Sequence, residues 1–142
     1  MKIIAPHNIE SLEVIDCDYN RVIRNARKMV DLCFVKTSFY NGAHSISHCE
    51  VTKIDPLKFF VMRDGFVIVN PVIIKHSRKI IKSEEGCLLY PDQPPIIVKR
   101  WERCTFNFRL PDYKNKIFSE IKTLDVGGLT AKIFQHEIDH CG

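Results

Sequence analysis

The C-terminal run Gln135-His136-Glu137-Ile138-Asp139-His140 constrains this chain more than any other stretch. On an α-helix, residues four apart lie one above the other. His136 and His140 therefore share a face and can offer two ring nitrogens to one metal ion. Glu137 lies about 100° round the helix and can reach a water beside that ion. Leu129 and Ile133 continue the histidine face, and Phe134, Ile138 and Cys141 cover the adjacent flank. Lys132, Gln135 and Asp139 are left as a polar stripe. A helix packed on most of its circumference cannot bury two neutral imidazoles unless each finds a hydrogen-bond partner or a cation. The plainer alternative is two partly buried histidines with hydrogen-bond partners and a surface Glu137; a metal is the simpler answer.

A hydrolytic centre needs a third protein ligand and a position kept for water. The sequence offers Cys87 in Glu85-Gly86-Cys87-Leu88, where Gly86 lets the backbone come close to a ligand. Read without that context, Cys87 is an ordinary small buried residue.

Hydrophobic periodicity sets the rest of the architecture. Val22, Ile23, Ala26, Met29, Val30, Cys33 and Phe34 recur at helical spacing and predict a helix over residues 20–40, with Asp18 as N-cap and Asn41-Gly42 as its stop. Residues 59–62 and 66–69 flank Asp64-Gly65 and predict a β-hairpin, broken at Asn70-Pro71 before a further strand at residues 72–74. Cys104, Phe106, Phe108 and Leu110 alternate with polar residues, as in a half-buried strand. After a turn at 111–115, residues 117–124 return, and Gly127-Gly128 leads into the last helix. The expectation is a single α+β domain over residues 1–142: antiparallel β-strands packed around a C-terminal metal-binding helix, with an N-terminal helix.

Composition excludes more than it identifies. The net charge of +4 over 142 residues is mild, and the densest basic stretch, residues 75–82, reads as a solvated face rather than a DNA footprint. No segment approaches the roughly 20 apolar residues that span a bilayer. The opening residues 1–6 are too short and broken for a signal-peptide core. These features point to the cytoplasm, where the six cysteines stay reduced as buried small residues or metal ligands.

Glu85-Gly86-Cys87-Leu88, followed about fifty residues later by Gln135-His136-Glu137-Ile138-Asp139-His140, resembles two of the three signatures of the peptide deformylases. Val69-Asn70-Pro71, Gly128-Leu129-Thr130-Ala131 and Arg100 also resemble that family's pattern, and the likeness is weak over residues 1–51. The resemblance implies a hydrolase that removes the formyl group from N-formylmethionine on nascent chains. Cys87, His136 and His140 would hold one divalent ion, Fe²⁺ or Zn²⁺ with Ni²⁺ accommodated, a choice that the donor set does not decide. Glu137 would take the proton of the attacking water, and the Leu88 backbone N–H would stabilise the oxyanion. Ala43, His44, Ser45, Ile46, Glu85, Gly86, Leu129 and Ile133 would border the substrate. Arg100 and Asp139 would anchor the metal helix. The implied partners are N-formylmethionyl peptides and nascent chains, with transient ribosome contact, no DNA, no membrane, and a monomeric protein.

The family's first signature ends in a Gln whose amide donates to the oxyanion, and the best register here puts Glu50 at that position. Three readings follow: burial keeps Glu50 protonated, His48 or another donor replaces it, or turnover is slow or specialised. Leu89 also replaces the Ser that closes the second signature. The chain stops two residues after His140, which resembles the short forms of the family in bacteriophages and other viruses. Two other readings stay open: a zincin-type peptidase, and a degenerate domain that binds formylated termini without efficient turnover.

Overall fold

The computed structural model describes residues 1–87 and 89–141. Helix α1 (Tyr19–Leu32) precedes strands β1 (Ser45–Ser47), β2 (Phe59–Met62) and β3 (Val67–His76). There follow β4 (Ile80–Glu85), β5 (Ile96–Trp101), β6 (Arg103–Arg109), β7 (Pro111–Asp112), β8 (Ile117–Phe118) and β9 (Lys122–Gly127). Helix α2 (Gly128–Cys141) comes last. Strands β1-β2-β3-β6-β9 form one antiparallel sheet, while β4 pairs with β5 and β7 with β8. This is the expected α+β arrangement.

Strand alternation divides the interior between the two helices. Phe59 and Val61 on β2 and Val67 and Val69 on β3 pack with Val22, Ala26 and Met29 of α1. Their neighbours Phe60 and Ile68, with Phe106 and Phe108 of β6, pack instead with Ala131, Ile133 and Phe134 of α2. A period of two thus feeds both faces of the sheet, and each face takes one helix. Phe134 is central to the α2 side, its ring meeting Phe60, Phe106 and Phe108 at centroid distances of 5.2, 4.8 and 5.7 Å.

Several boundaries differ from expectation. Helix α1 ends at Leu32 rather than residue 40. Past Cys33 the chain loses its packing face, with Phe34 and Val35 more than half exposed, and Ala43 N–H donates to Cys33 O at 2.8 Å. Asp18 does not cap α1 with its side chain; that carboxylate accepts the Ile15 N–H at 3.0 Å and fixes the preceding 3₁₀ turn. Asn70-Pro71 does not break the strand. It forms a bulge within β3, Asn70 taking a φ of 51° that Asn tolerates. The Asn70 side chain bonds Val14 N and O at 2.8 and 2.9 Å, stitching the N-terminal segment to the sheet. The strand expected over 117–124 is split into β8 and β9.

Candidate active site

Helix α2 supplies most of the site, and three elements hold it. The β4–β5 hairpin carries the loop containing Cys87, β1 runs along the other side of α2, and Gln135 locks α2 to β5. Gln135 accepts from Trp101 N and donates to Trp101 O, each at 3.0 Å. The expected polar stripe on α2 is therefore incorrect at Gln135, which is 4% exposed. Its amide satisfies backbone groups at the end of a strand, a use that helical periodicity does not reveal.

Cys87 Sγ, His136 and His140 bring one donor atom each within 4.8 Å of one another. The two Nε2 atoms face each other at 3.1 Å, and Cys87 Sγ lies 3.4 Å from His140 Nε2. A tetrahedral ion with nitrogen ligands at about 2.0–2.1 Å and sulfur at about 2.3 Å needs edges of about 3.3 and 3.6 Å. The three side chains thus fit a divalent cation. Burial lowers the pKa of His140, keeping the neutral imidazole that ligation requires. Burial and then the neighbouring Glu50 push the Cys87 thiol up to about 12, and a cation beside it would reverse that by taking the thiolate.

Behind the histidines lies an ion-pair chain. His136 Nδ1 donates to Glu85 Oε1 at 2.8 Å, which turns Nε2 toward the site. Arg100 donates to Glu85 through Nη2 at 2.7 Å and Nε at 2.9 Å, and to Asp139 through Nη1 at 2.6 Å. Burial alone would raise the Glu85 carboxyl, but hydrogen bonds from Arg100 and His136 hold it at about 2. Glu85 lines the cavity over the site, as expected of a residue bordering the substrate, while its carboxylate is committed to the ligand scaffold. Arg100 and Asp139 meet as expected, and Glu85 completes the link to His136.

Glu137 is 2% exposed, and both its carboxylate oxygens are engaged. Ser45 Oγ donates to Oε1 at 2.9 Å, and Ser47 Oγ donates to Oε2. The alternation of β1 puts both hydroxyls on one face and sends Ile46 to the other. Ile46 is fully buried in the α1 core, so its expected place in the substrate pocket is incorrect. Ser45 was legible only as a neighbour of substrate, and the part played by Ser47 was missed. The Ser47-x-x-Glu50 pattern was a usable signal, being that of a reciprocal cap, and this cap is formed.

A cavity of about 560 Å³ opens over these groups. Ala43, His44, Ser45, Gly86, Leu129 and Ile133 line it, together with Glu50, Cys87, His136 and Glu137. Tyr40, expected only as the last residue of the first helix, seals one side. Its ring lies where a Cβ on Gly86 would come within 2.2–2.4 Å, and its hydroxyl donates to Gln93 O at 2.8 Å. Gly86 is thus required by an aromatic neighbour as well as by the ligand loop. Glu50 is buried, and burial followed by the Glu137 charge raises its carboxyl well above the usual range. His48 cannot take over as a donor to substrate. Its ring stacks on Phe59 with centroids 4.8 Å apart, and its Nδ1 accepts Leu57 N–H at 2.8 Å. The expected oxyanion donor at Leu88 lies outside the described residues.

Residues 39–142 match the family model described as Polypeptide deformylase. The chain belongs to the polypeptide deformylase family. Among curated deformylases it is similar to peptide deformylase 2 of Bacillus anthracis, 40% identical over 75 residues, covering 51% of this chain and 38% of that protein. It is also 37% identical over 73 residues to the peptide deformylase of Orientia tsutsugamushi, covering 51% and 36%. These matches span well under two thirds of either relative. The fold is similar to that of the deformylase from Vibrio parahaemolyticus bacteriophage VP16T in complex with actinonin, with a TM-score of 0.74 and 24% identity over 99% of this chain and 96% of that one. A probable peptide deformylase from Synechococcus phage S-SSM7 has a TM-score of 0.71 at 22% identity, covering 99% and 93%. Deformylase membership does not favour the zincin-type peptidase reading. Among the described residues, no helix is long and apolar enough to cross a membrane.

Proposed function

We propose that this deformylase-family chain hydrolyses the N-formyl group from the N-terminal methionine of nascent polypeptides, releasing formate. The observation that carries the reading is the convergence of Cys87, His136 and His140 beside the doubly held carboxylate of Glu137, beneath an open cavity. Cys87, His136 and His140 would hold one divalent ion, Fe²⁺ or Zn²⁺, with Ni²⁺ also suited to such a set. A bound ion of this kind supplies Lewis acidity, which makes water a nucleophile near neutral pH and polarises a carbonyl.

The chain's own groups do the rest. Glu137 takes the proton of the attacking water, whose oxygen adds to the formyl carbon. The C–N bond then breaks, and Glu137 returns the proton to the departing amine. Ser45 and Ser47 hold that carboxylate in one orientation. Glu85 fixes the ring of His136, while Arg100 and Asp139 fix Glu85 and the helix. Leu129, Ile133 and Ala43 offer an apolar wall for the methionine side chain, with His44 and Gly86 at its rim. Glu50 borders the reacting group. Ionised, it cannot donate to an oxyanion, and the loss of one such donor typically costs about 10²–10³ in turnover. The setting implied is the cytoplasm, with nascent chains as partners, brief ribosome contact, and a monomer.

Formate release from formyl-Met peptides by metal-loaded protein tests the reading. Turnover abolished by Glu137→Ala supports it. Absence of formate, or cleavage at internal peptide bonds, refutes it.

A further inference from the structure

An ionised Glu50 has no constructive task in that chemistry, yet the residue is 2% exposed and fixed in position. Its Oε1 accepts Ser47 N–H at 2.9 Å, while its own backbone N–H is received by the Ser47 side chain. This cap leaves Oε2 directed at the metal ligands, 4.0 Å from Cys87 Sγ. Glu50, Glu137 and His140 bring one donor atom each within 4.8 Å of one another, so the oxygen cluster and the Cys87-His136-His140 cluster share His140.

The charge balance points the same way. Among the described residues, no Lys, Arg or His nitrogen approaches the Glu50 carboxylate within 4.0 Å, and Glu137 has only His136 Nε2 at that limit. Two adjacent buried carboxylates beside a buried thiol are costly without a compensating cation. A divalent ion among these groups supplies that compensation.

We propose that Glu50 is a fourth protein ligand, its Oε2 joining Cys87, His136 and His140 in holding the divalent cation. The inference rests on the metal site proposed above. It gives the site a hard anionic donor in addition to sulfur and two nitrogens. Thiolate and carboxylate together then neutralise the ion's double charge. A centre that expands to five-coordinate keeps a position for water beside these four protein donors.

Co²⁺ binding to metal-free wild type, Glu50→Gln and Glu50→Ala tests this, read by d–d absorption and by competition with a chromogenic chelator. Gln retains an acceptor for Ser47 N–H, so it removes the charge and the hard donor while keeping the cap. The expected result is a shifted d–d band and at least a ten-fold loss of affinity in both variants, of the order seen when metal-site support is removed. Superimposable bands and equal affinities for wild type and Glu50→Gln would overturn the inference alone. A wild-type chain that binds no Co²⁺ would overturn both the inference and the metal site beneath it.

Discussion

Ser45 Oγ stands 2.9 Å from Glu137 Oε1, joining the first strand of the sheet to the residue proposed to carry the proton. A hydrogen bond to a charged group contributes about 1.5–3 kcal/mol, equivalent to about 10–100-fold. Ser45→Ala should therefore lower kcat by that factor while metal content, measured on the same sample, stays at the wild-type level. Loss of metal in step with activity would show that Ser45 supports the ligands instead.

Glu137→Gln keeps the shape of the side chain and its contact with the β1 hydroxyls but cannot accept the water proton. Turnover should fall by about 10²–10⁴, the span usual for a lost general base. Formate release under single-turnover conditions checks this, and metal analysis should show the ion retained.

Arg100→Ala removes the guanidinium that links Glu85 to Asp139. It leaves the Glu85 carboxylate, only 11% exposed, with the His136 Nδ1–H as a donor but no guanidinium beside it. Destabilisation by about 3–5 kcal/mol in denaturant titrations and a 10–100-fold loss of metal affinity should follow. Asp139→Ala should be milder on stability, since that side chain is 68% exposed, while still weakening metal retention.

His48 lends stability a pH dependence of its own. Burial, then the charge of Arg21, lowers its pKa from 6.5 to about 4 in the folded protein. Between those values the unfolded chain binds the proton and the folded chain does not, so stability falls as pH drops from about 6.5 to about 4. The full effect is about 3 kcal/mol. In urea titrations of metal-free protein, His48→Asn, which can still accept Leu57 N–H, should flatten the profile across that window. An unchanged slope would assign the pH dependence elsewhere.

Glu50→Gln replaces an acceptor with the amide that the resemblance to the family's first signature implies at this position. Turnover should rise by about 10–100-fold, part of the penalty for a missing oxyanion donor. Steady-state formate assays at saturating metal check this, and unchanged kcat would exclude Glu50 from the neighbourhood of the oxyanion.

The donors of the site were legible because helical spacing is arithmetic: His136 and His140 had to share a face, and the Gly86-Cys87 pair marked a backbone built for close approach. The β4–β5 hairpin that carries Cys87 was not legible. Its strands mix exposed apolar and charged residues (Ile80, Ile96 and Ile97 are all more than half exposed), so no period of two stands out. The contacts of Glu85 with His136, Gln135 with Trp101 and Tyr40 with Gly86 join distant segments, and local pattern carries no record of them. Ile46 was misplaced because its apolar character suits a pocket and a core equally well. Only the register of β1 against β2 decides which face it takes.

X-ray absorption at the zinc edge of the Zn²⁺-loaded protein tests the central claim most directly. The account predicts one sulfur at about 2.3 Å, with imidazole nitrogens at about 2.0–2.1 Å, and loss of the sulfur shell in Cys87→Ser. A shell of nitrogen and oxygen alone in the wild type, or a sulfur shell that survives Cys87→Ser, would contradict it.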